Sequence, residues 1–268
     1  VKYYGHWMLE EARKRIGSLY QPITVTEDLA TTRKDLAPLV GRRLPVVAWI
    51  WARTVKSPNP AFADVDVPLV SNFMLSTKEG KEAYVEPVIE GDRYRFTVKT
   101  GKPKDAEAAR NGTKLARGAN FRCIMSDAAI PSEHIYNEAK AGRMSAKLMA
   151  IVAEGTRGRV YLSPTKEHES IPLQVNPTWK PDNLMPNNPR WFSPPLYGLT
   201  TYGDLFTPRQ LVALTSLSDL VGEVMECVRQ DFKNARPSHA EDLHLQRNAL
   251  LNNKYSIIDY SVALALYC

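Results

Sequence analysis

Nine of the chain's 19 prolines fall between residues 164 and 208. A proline fixes its own φ and has no N–H to donate, so this stretch can hold neither a long helix nor a central strand. It reads as a loop or an extended wrap over a surface, and it divides the 268 residues into a long first part and a short second one. With 44% hydrophobic and 24% charged residues the chain can fill one or two cores, and a disordered polymer is excluded. No apolar run approaches the ~20 residues that a membrane-spanning helix needs, and the first residues form a charged amphipathic stretch rather than a secretory signal. Cys123, Cys227 and Cys268 are too few and too scattered for a disulfide framework, which fits a cytoplasmic location. The chain opens on Val1, and Ile257 to Cys268 run apolar without a stop signal, so it reads as a piece of something longer.

Along the chain, Tyr4, Met8, Ala12 and Ile16 recur at spacing four and predict an amphipathic helix that ends near Pro22. Residues 23–44 read as a polar connector, and Pro45–Val55 as a strand buried on both faces. Val67–Leu75 and Ala83–Ile89 follow as strands. In Arg93–Lys99, Tyr94, Phe96 and Val98 alternate with Arg93, Arg95, Thr97 and Lys99, so one face is apolar and the other cationic, and the Glu90-Gly91-Asp92 break makes a hairpin. Residues 102–119 read as a mobile basic loop and Phe121–Ile130 as a short extended stretch, with a helix after Pro131. A second hairpin, Leu148–Val152 with Arg159–Leu162, carries Arg157 at its tip. Thr207-Pro208-Arg209-Gln210 is a capping-box start for a helix reaching about Phe232, and another helix is expected from about His239.

The net charge of +6 is unevenly spread: residues 41–160 hold 20 Lys or Arg against 13 Asp or Glu, the remainder 15 against 16. Within that segment Arg93, Arg95, Lys99, Lys102, Lys104, Arg117 and Arg122 form a basic stripe suited to the phosphate backbone of DNA, because each neutralised phosphate releases counterions. Arg143, Lys147, Arg157 and Arg159 extend it. A solvated basic surface is the plain alternative.

Two short segments, Ser57-Pro58-Asn59-Pro60-Ala61-Phe62 and Cys123-Ile124-Met125-Ser126, look like zinc knuckles that have lost ligands. Two thiolates on each tight turn would complete a tetrahedron around zinc, and only Cys123 is a thiol, so zinc is not expected. Together with Tyr3-Tyr4-Gly5-His6-Trp7-Met8, Arg15-Ile16-Gly17, Ala48 to Val55, Gly142-Arg143-Met144, Gly158-Arg159-Val160-Tyr161 and Tyr197 to Leu211, these segments resemble the prokaryotic adenine-specific DNA methylases that contain a zinc-ribbon insertion. The resemblance covers nearly the whole chain. It implies cysteines at the places of Ser57, Phe62, Cys123 and Ser126, and this sequence departs at three of the four.

The resemblance also implies methyl transfer from S-adenosylmethionine to adenine N6, with a glycine-rich cofactor turn and an Asp-Pro-Pro-Tyr amine clamp. Neither motif occurs in the sequence, so no catalytic, cofactor-binding or metal-binding residue is assigned, and both are expected in the remaining methyltransferase domain of the same polypeptide. Ser193-Pro194-Pro195-Leu196-Tyr197 imitates the clamp, but Leu196 takes the ring position. His134 and His168 read as solvent or cap partners, Asn111-Gly112-Thr113 as a turn rather than a glycosylation site, and Trp49 and Trp51 as core. The fold expected is α+β: an N-terminal helix and connector over 1–40, a small antiparallel, degenerate ribbon-like DNA-contact region over 41–163, a proline-rich connector over 164–206 and a helical region over 207–268. The function expected is DNA positioning for an adenine-N6 methyltransferase. The alternative is a non-catalytic protein-interaction module on a metal-free ribbon, with Phe62 filling the former metal side.

Overall fold

The computed structural model describes residues 2–115, 117–156, 158–188, 190 and 192–234. In chain order they form α1 (Lys2–Ile16), β1 (Ile23–Thr24), α2 (Glu27–Thr32), β2 (Arg43–Leu44), β3 (Val46–Lys56), β4 (Asp66–Leu69), β5 (Met74–Ser76), β6 (Ala83–Glu90), β7 (Arg93–Thr100), α3 (Ala106–Asn111), β8 (Phe121–Arg122), β9 (Ala129–Ile130), α4 (Ser132–Lys140), β10 (Ser145–Gly155), β11 (Gly158–Leu162), α5 (Lys166–Ser170) and α6 (Pro208–Asn234). The fold is α+β, with every pairing in its sheets antiparallel. The expected helix from His239 and the hairpin tip at Arg157 lie outside the described residues. No described helix is long and apolar enough to cross a membrane.

Contacts divide the chain into two units, one made of Gln21–Gln174 with Pro181–Leu205, the other of the described parts of Val1–Tyr20, Val175–Lys180 and Phe206–Cys268. The first helix therefore groups with the last described one, a pairing that four consecutive segments do not anticipate. In this smaller unit Val224 and Val228 of α6 pack on Tyr4, Trp7 and Met8 of α1. Arg15 forks onto Glu223 through two 2.7 Å bonds, and Tyr4 Oη donates to Asp231 at 2.8 Å. The start of α6 is the capping box read from sequence: Gln210 N–H donates to Thr207 Oγ1 at 3.3 Å and Thr207 N–H to Gln210 Oε1 at 2.8 Å.

The larger unit is built on the sheet β11-β10-β3-β4. One of its cores collects Leu148, Ile151 and Leu162 with Ile23, Leu36 and Leu44, and with Trp49 and Trp51 against it. Another collects Ala52, Met149 and Ala150 with Phe73, Val85, Tyr94, Phe96 and Val98, which joins this sheet to the sheet β5-β6-β7. The strand buried on both sides is β10, whose Leu148–Ala153 run is continuously buried. The expectation of two-sided burial for the first β-rich run is thus corrected. β4 pairs only with Arg53–Lys56, so the first half of β3 has one strand neighbour and Val47 stays 57% exposed. Each fully buried Leu or Ile in these cores contributes about 1.5–3 kcal/mol.

The polar connector is also more ordered than expected. Residues 23–44 hold β1, α2 and β2, with Thr26 capping α2 and Leu36 buried. Arg33, the residue that ends α2, joins three parts of the unit. Its Nε and Nη2 donate to the two Asp35 oxygens at 2.7 Å each, and Nη1 donates to Tyr161 O at 3.0 Å and Val98 O at 3.4 Å. β7 and β11 are edge strands of different sheets, so one guanidinium ties both edges to the connector.

The expected mobile loop over 102–119 contains α3, capped by Asp105 and fastened by Thr113. Thr113 N–H donates to Val70 O at 2.7 Å, its Oγ1 donates to Pro68 O at 3.0 Å, and it accepts Val70 N–H at 3.0 Å. The preceding Gly112 has φ +58°, and a Cβ there would stand 2.3 Å from Val70 O. Gly112→Ala should therefore lower stability by about 3 kcal/mol. Arg33→Met, which keeps the stem and strands two carbonyls, should cost about 2–4 kcal/mol. Urea midpoints of the two variants against the unaltered protein measure both.

Candidate nucleic-acid interface

The cationic strand lies where the alternation puts it. β6 and β7 pair in register from Ala83↔Thr100 to Glu90↔Arg93, Tyr94, Phe96 and Val98 are buried, and Arg93, Arg95 and Lys99 lie on the opposite face. Partners that the linear charge tally missed come from β6. Arg95 Nε donates to Glu90 at 2.7 Å and Lys99 Nζ stands 3.8 Å from Glu86, while Arg93 is 3.9 Å from its neighbour Asp92. Arg122 is 3.5 Å from Asp127. Lys102, Lys104 and Arg117 are exposed.

Of these seven residues the structure brings Arg95 and Lys99 together in one groove of about 570 Å³. Lys147 from β10, Lys166 at the start of α5 and the Arg33 staple complete its cationic walls, with Glu169 as the carboxylate among them. Lys147 is held in place: Nζ donates to Tyr94 O at 3.2 Å and sits 4.4 Å from the Tyr94 ring centre. Glu169 Oε1 accepts Leu148 N–H at 3.3 Å. Arg93 lines a neighbouring hollow beside Asp64 and Asp66, whose wall shares Lys147 with the groove, and Lys102, Lys104, Arg117 and Arg122 are not on the groove wall. Lys166 escaped sequence reading because it sits in the proline-dense stretch, where Thr165 caps α5 by accepting His168 N–H.

The two knuckle-like turns do meet. Ser57 Oγ and Cys123 Sγ share a 3.4 Å hydrogen bond, and both residues are buried. The second turn closes through Asp127 N–H to Cys123 O at 2.9 Å and Cys123 N–H to Ala128 O at 2.8 Å, with Asp127 in the left-handed region at φ +57°. Ser126 Oγ is buried without a partner of good hydrogen-bond geometry, yet stands close enough to favour the Cys123 thiolate. Burial raises the thiol pKa, and hydrogen bonding from Ser126, Ser57 and the Met125 and Ser126 backbone outweighs it, so the thiol lies below its ordinary value. Ser57 Oγ also accepts Asn59 N–H at 3.2 Å, and Phe62 offers no donor atom, so this set supplies one sulfur and two hydroxyls and does not fit tetrahedral zinc. Among the described residues no group of three His, Cys, Asp or Glu is arranged to hold a metal ion.

The remaining motif-like residues have structural partners. Pro194–Tyr197 is a short 3-10 helix whose Pro194 and Pro195 carbonyls accept the Gly198 N–H, so they are not presented to an incoming amine. His134 Nε2 is 2.8 Å from Lys56 O. Trp49 Nε1–H donates to Nδ1 of buried His168 at 3.0 Å, which puts the His168 ring proton on Nε2.

No family model, curated protein or solved structure matches the chain.

The Arg33 hydrogen bonds hold the Asp35 carboxyl below its ordinary value, against a smaller opposing effect of burial. A carboxylate with a depressed folded pKa adds stability above its unfolded pKa of about 4 and loses it as pH falls through the folded value. Asp35→Asn should accordingly shrink the difference in urea midpoint between pH 7 and pH 3 relative to the unaltered protein.

Proposed function

We propose that the chain binds the phosphate backbone of DNA through the groove under the β6–β7 hairpin, as the DNA-positioning part of an S-adenosylmethionine-dependent adenine-N6 methyltransferase. The observation that carries the DNA reading is the convergence of Arg95, Lys99, Lys147 and Lys166 on one groove, where the facing carboxylate Glu169 already accepts a backbone N–H. Cations from three separate elements on one concave surface suit a string of phosphates, which fixes position without reading bases. The methyltransferase reading rests on the sequence resemblance. In it the cofactor and the amine clamp belong to the remaining methyltransferase domain, and this chain's residues orient the duplex for them. The ribbon serves as a metal-free support: its two turns are joined by the Ser57–Cys123 hydrogen bond and by packing of Val55, Val67, Cys123, Ile130 and Ile135.

The rival reading, a protein-interaction module, needs Phe62 packed where a metal ligand would stand. Phe62 lies on a short 3-10 turn, is partly exposed, and is not among the described side chains packed on that cluster.

The triple variant Arg95→Ala, Lys147→Ala, Lys166→Ala tests the reading by fluorescence titration with duplex DNA across a salt series. Affinity at low salt should fall by roughly 10- to 100-fold, and the slope of log K against log salt should shrink by about 2 to 3, since each phosphate contact accounts for about 0.9. Unchanged affinity and slope in a variant with an unaltered melting temperature overturn it.

A further inference from the structure

A second groove of about 750 Å³ shares Arg33 as part of its wall and is used by nothing described above. Arg42, at the entry to β2, and Arg159, on β11, both line it, and both are exposed, with no carboxylate within 4 Å among the described residues. Lys81, before β6, is a third cation on the wall. Of its carboxylates, Asp35 is held by both Arg33 nitrogens and Glu82 is the other, so the groove keeps an excess of positive charge.

Part of its wall is glycine. Gly80, Gly101, Gly155 and Gly158 come from three different turns and put no side chain into the space between the cations. A Cβ on Gly155 would stand 2.6 Å from Val160 Cγ2, so a larger residue at that position needs Val160 to shift. A volume of this size accommodates a nucleotide-sized ligand. Planar guanidinium forks from two parts of the chain, beside glycines that add no side chain, match the tetrahedral oxygens of phosphoryl groups.

We propose that this second groove is a phosphoryl-binding site, with Arg42 and Arg159 as its anion-holding forks. The site does not depend on the DNA reading of the first groove. Its phosphoryl groups have two sources, a free polyphosphate such as the tail of a nucleotide or the backbone of a nucleic acid strand, and two probes separate them.

Calorimetry with inorganic pyrophosphate and titration with duplex DNA are carried out on the full chain, on the double variant Arg42→Gln, Arg159→Gln and on the double variant Arg95→Ala, Lys147→Ala. Pyrophosphate binding that weakens roughly tenfold in the first variant and holds within about twofold in the second supports the site and makes a free polyphosphate its ligand. No pyrophosphate binding, with DNA affinity reduced at least about threefold in the first variant, supports it with the nucleic acid backbone as the source. If pyrophosphate does not bind and the first variant leaves DNA affinity unaltered, the site is refuted; a loss of DNA affinity in the second variant alone would then leave the first-groove reading standing. Should the double variant melt early, the single variants Arg42→Gln and Arg159→Gln take its place, since each residue is exposed and has no carboxylate partner among the described residues.

Discussion

One guanidinium sets the geometry on which the grooves depend. β7 and β11 are the unpaired edges of two sheets that share an apolar core. Apolar packing alone is non-directional and would let those edges slide. Arg33 removes that freedom by donating to a carbonyl on each edge while Asp35 holds its other nitrogens, so the edges keep one separation and one register. Val98 N–H donating to Ser163 Oγ at 2.9 Å adds a second tie at the same seam. Because Arg33 is also part of the wall of both grooves, the staple that joins the sheets fixes the positions of the cations on them.

The fold was legible wherever one sequence pattern ran for several residues. Tyr94, Phe96 and Val98 gave away β7, the spacing of Tyr4, Met8 and Ala12 gave away α1, and Thr207 with Gln210 marked the start of α6. It was illegible where elements are too short to show a period. β1 and β2 have two residues each and exist because they pair with each other, a contact that no local pattern announces. α3 and α5 have six and five residues, and their helical turns depend on the Asp105 and Thr165 caps rather than on an apolar stripe. Burial of β10 on both sides, rather than of β3, goes with the short β3–β4 pairing, which covers only Arg53–Lys56 and leaves the first half of β3 with one strand neighbour. Two bulges in the β10–β3 ladder, between Leu148 and Ala150 and between Val152 and Ala153, also blur its alternation.

The site was half legible for a related reason. A tally along the chain finds the cations of β7 and not their neighbours, because Glu86 and Glu90 belong to the preceding strand and reach Lys99 and Arg95 only after pairing. The same folding brings in Lys147 and Lys166, which are remote in sequence. Arg117 and Arg122 are close to β7 in sequence and do not line its groove; Thr113 fastens their segment to Pro68 and Val70, and Arg122 N–H donates to Thr113 O at 2.7 Å.

The ion pairs on β7 are compatible with the proposed phosphate contacts. The Arg95 and Glu90 side chains are each more than half exposed, at 55% and 56%, and those of Lys99 and Glu86 at 51% and 42%. Exposed pairs of this kind are worth about 0–1 kcal/mol, since water screens the attraction and both side chains lose freedom in making it. A phosphate diester offers the same cation another anionic acceptor and adds the entropy of counterions released from the polyanion. Exchange of a carboxylate for a phosphate on these residues is therefore close to balanced for one contact and favourable for several made at once. On the proposed reading that difference makes the groove weak toward an isolated phosphate monoester and strong toward a chain of them, whereas Arg42 and Arg159, with no carboxylate within 4 Å among the described residues, require no such sum.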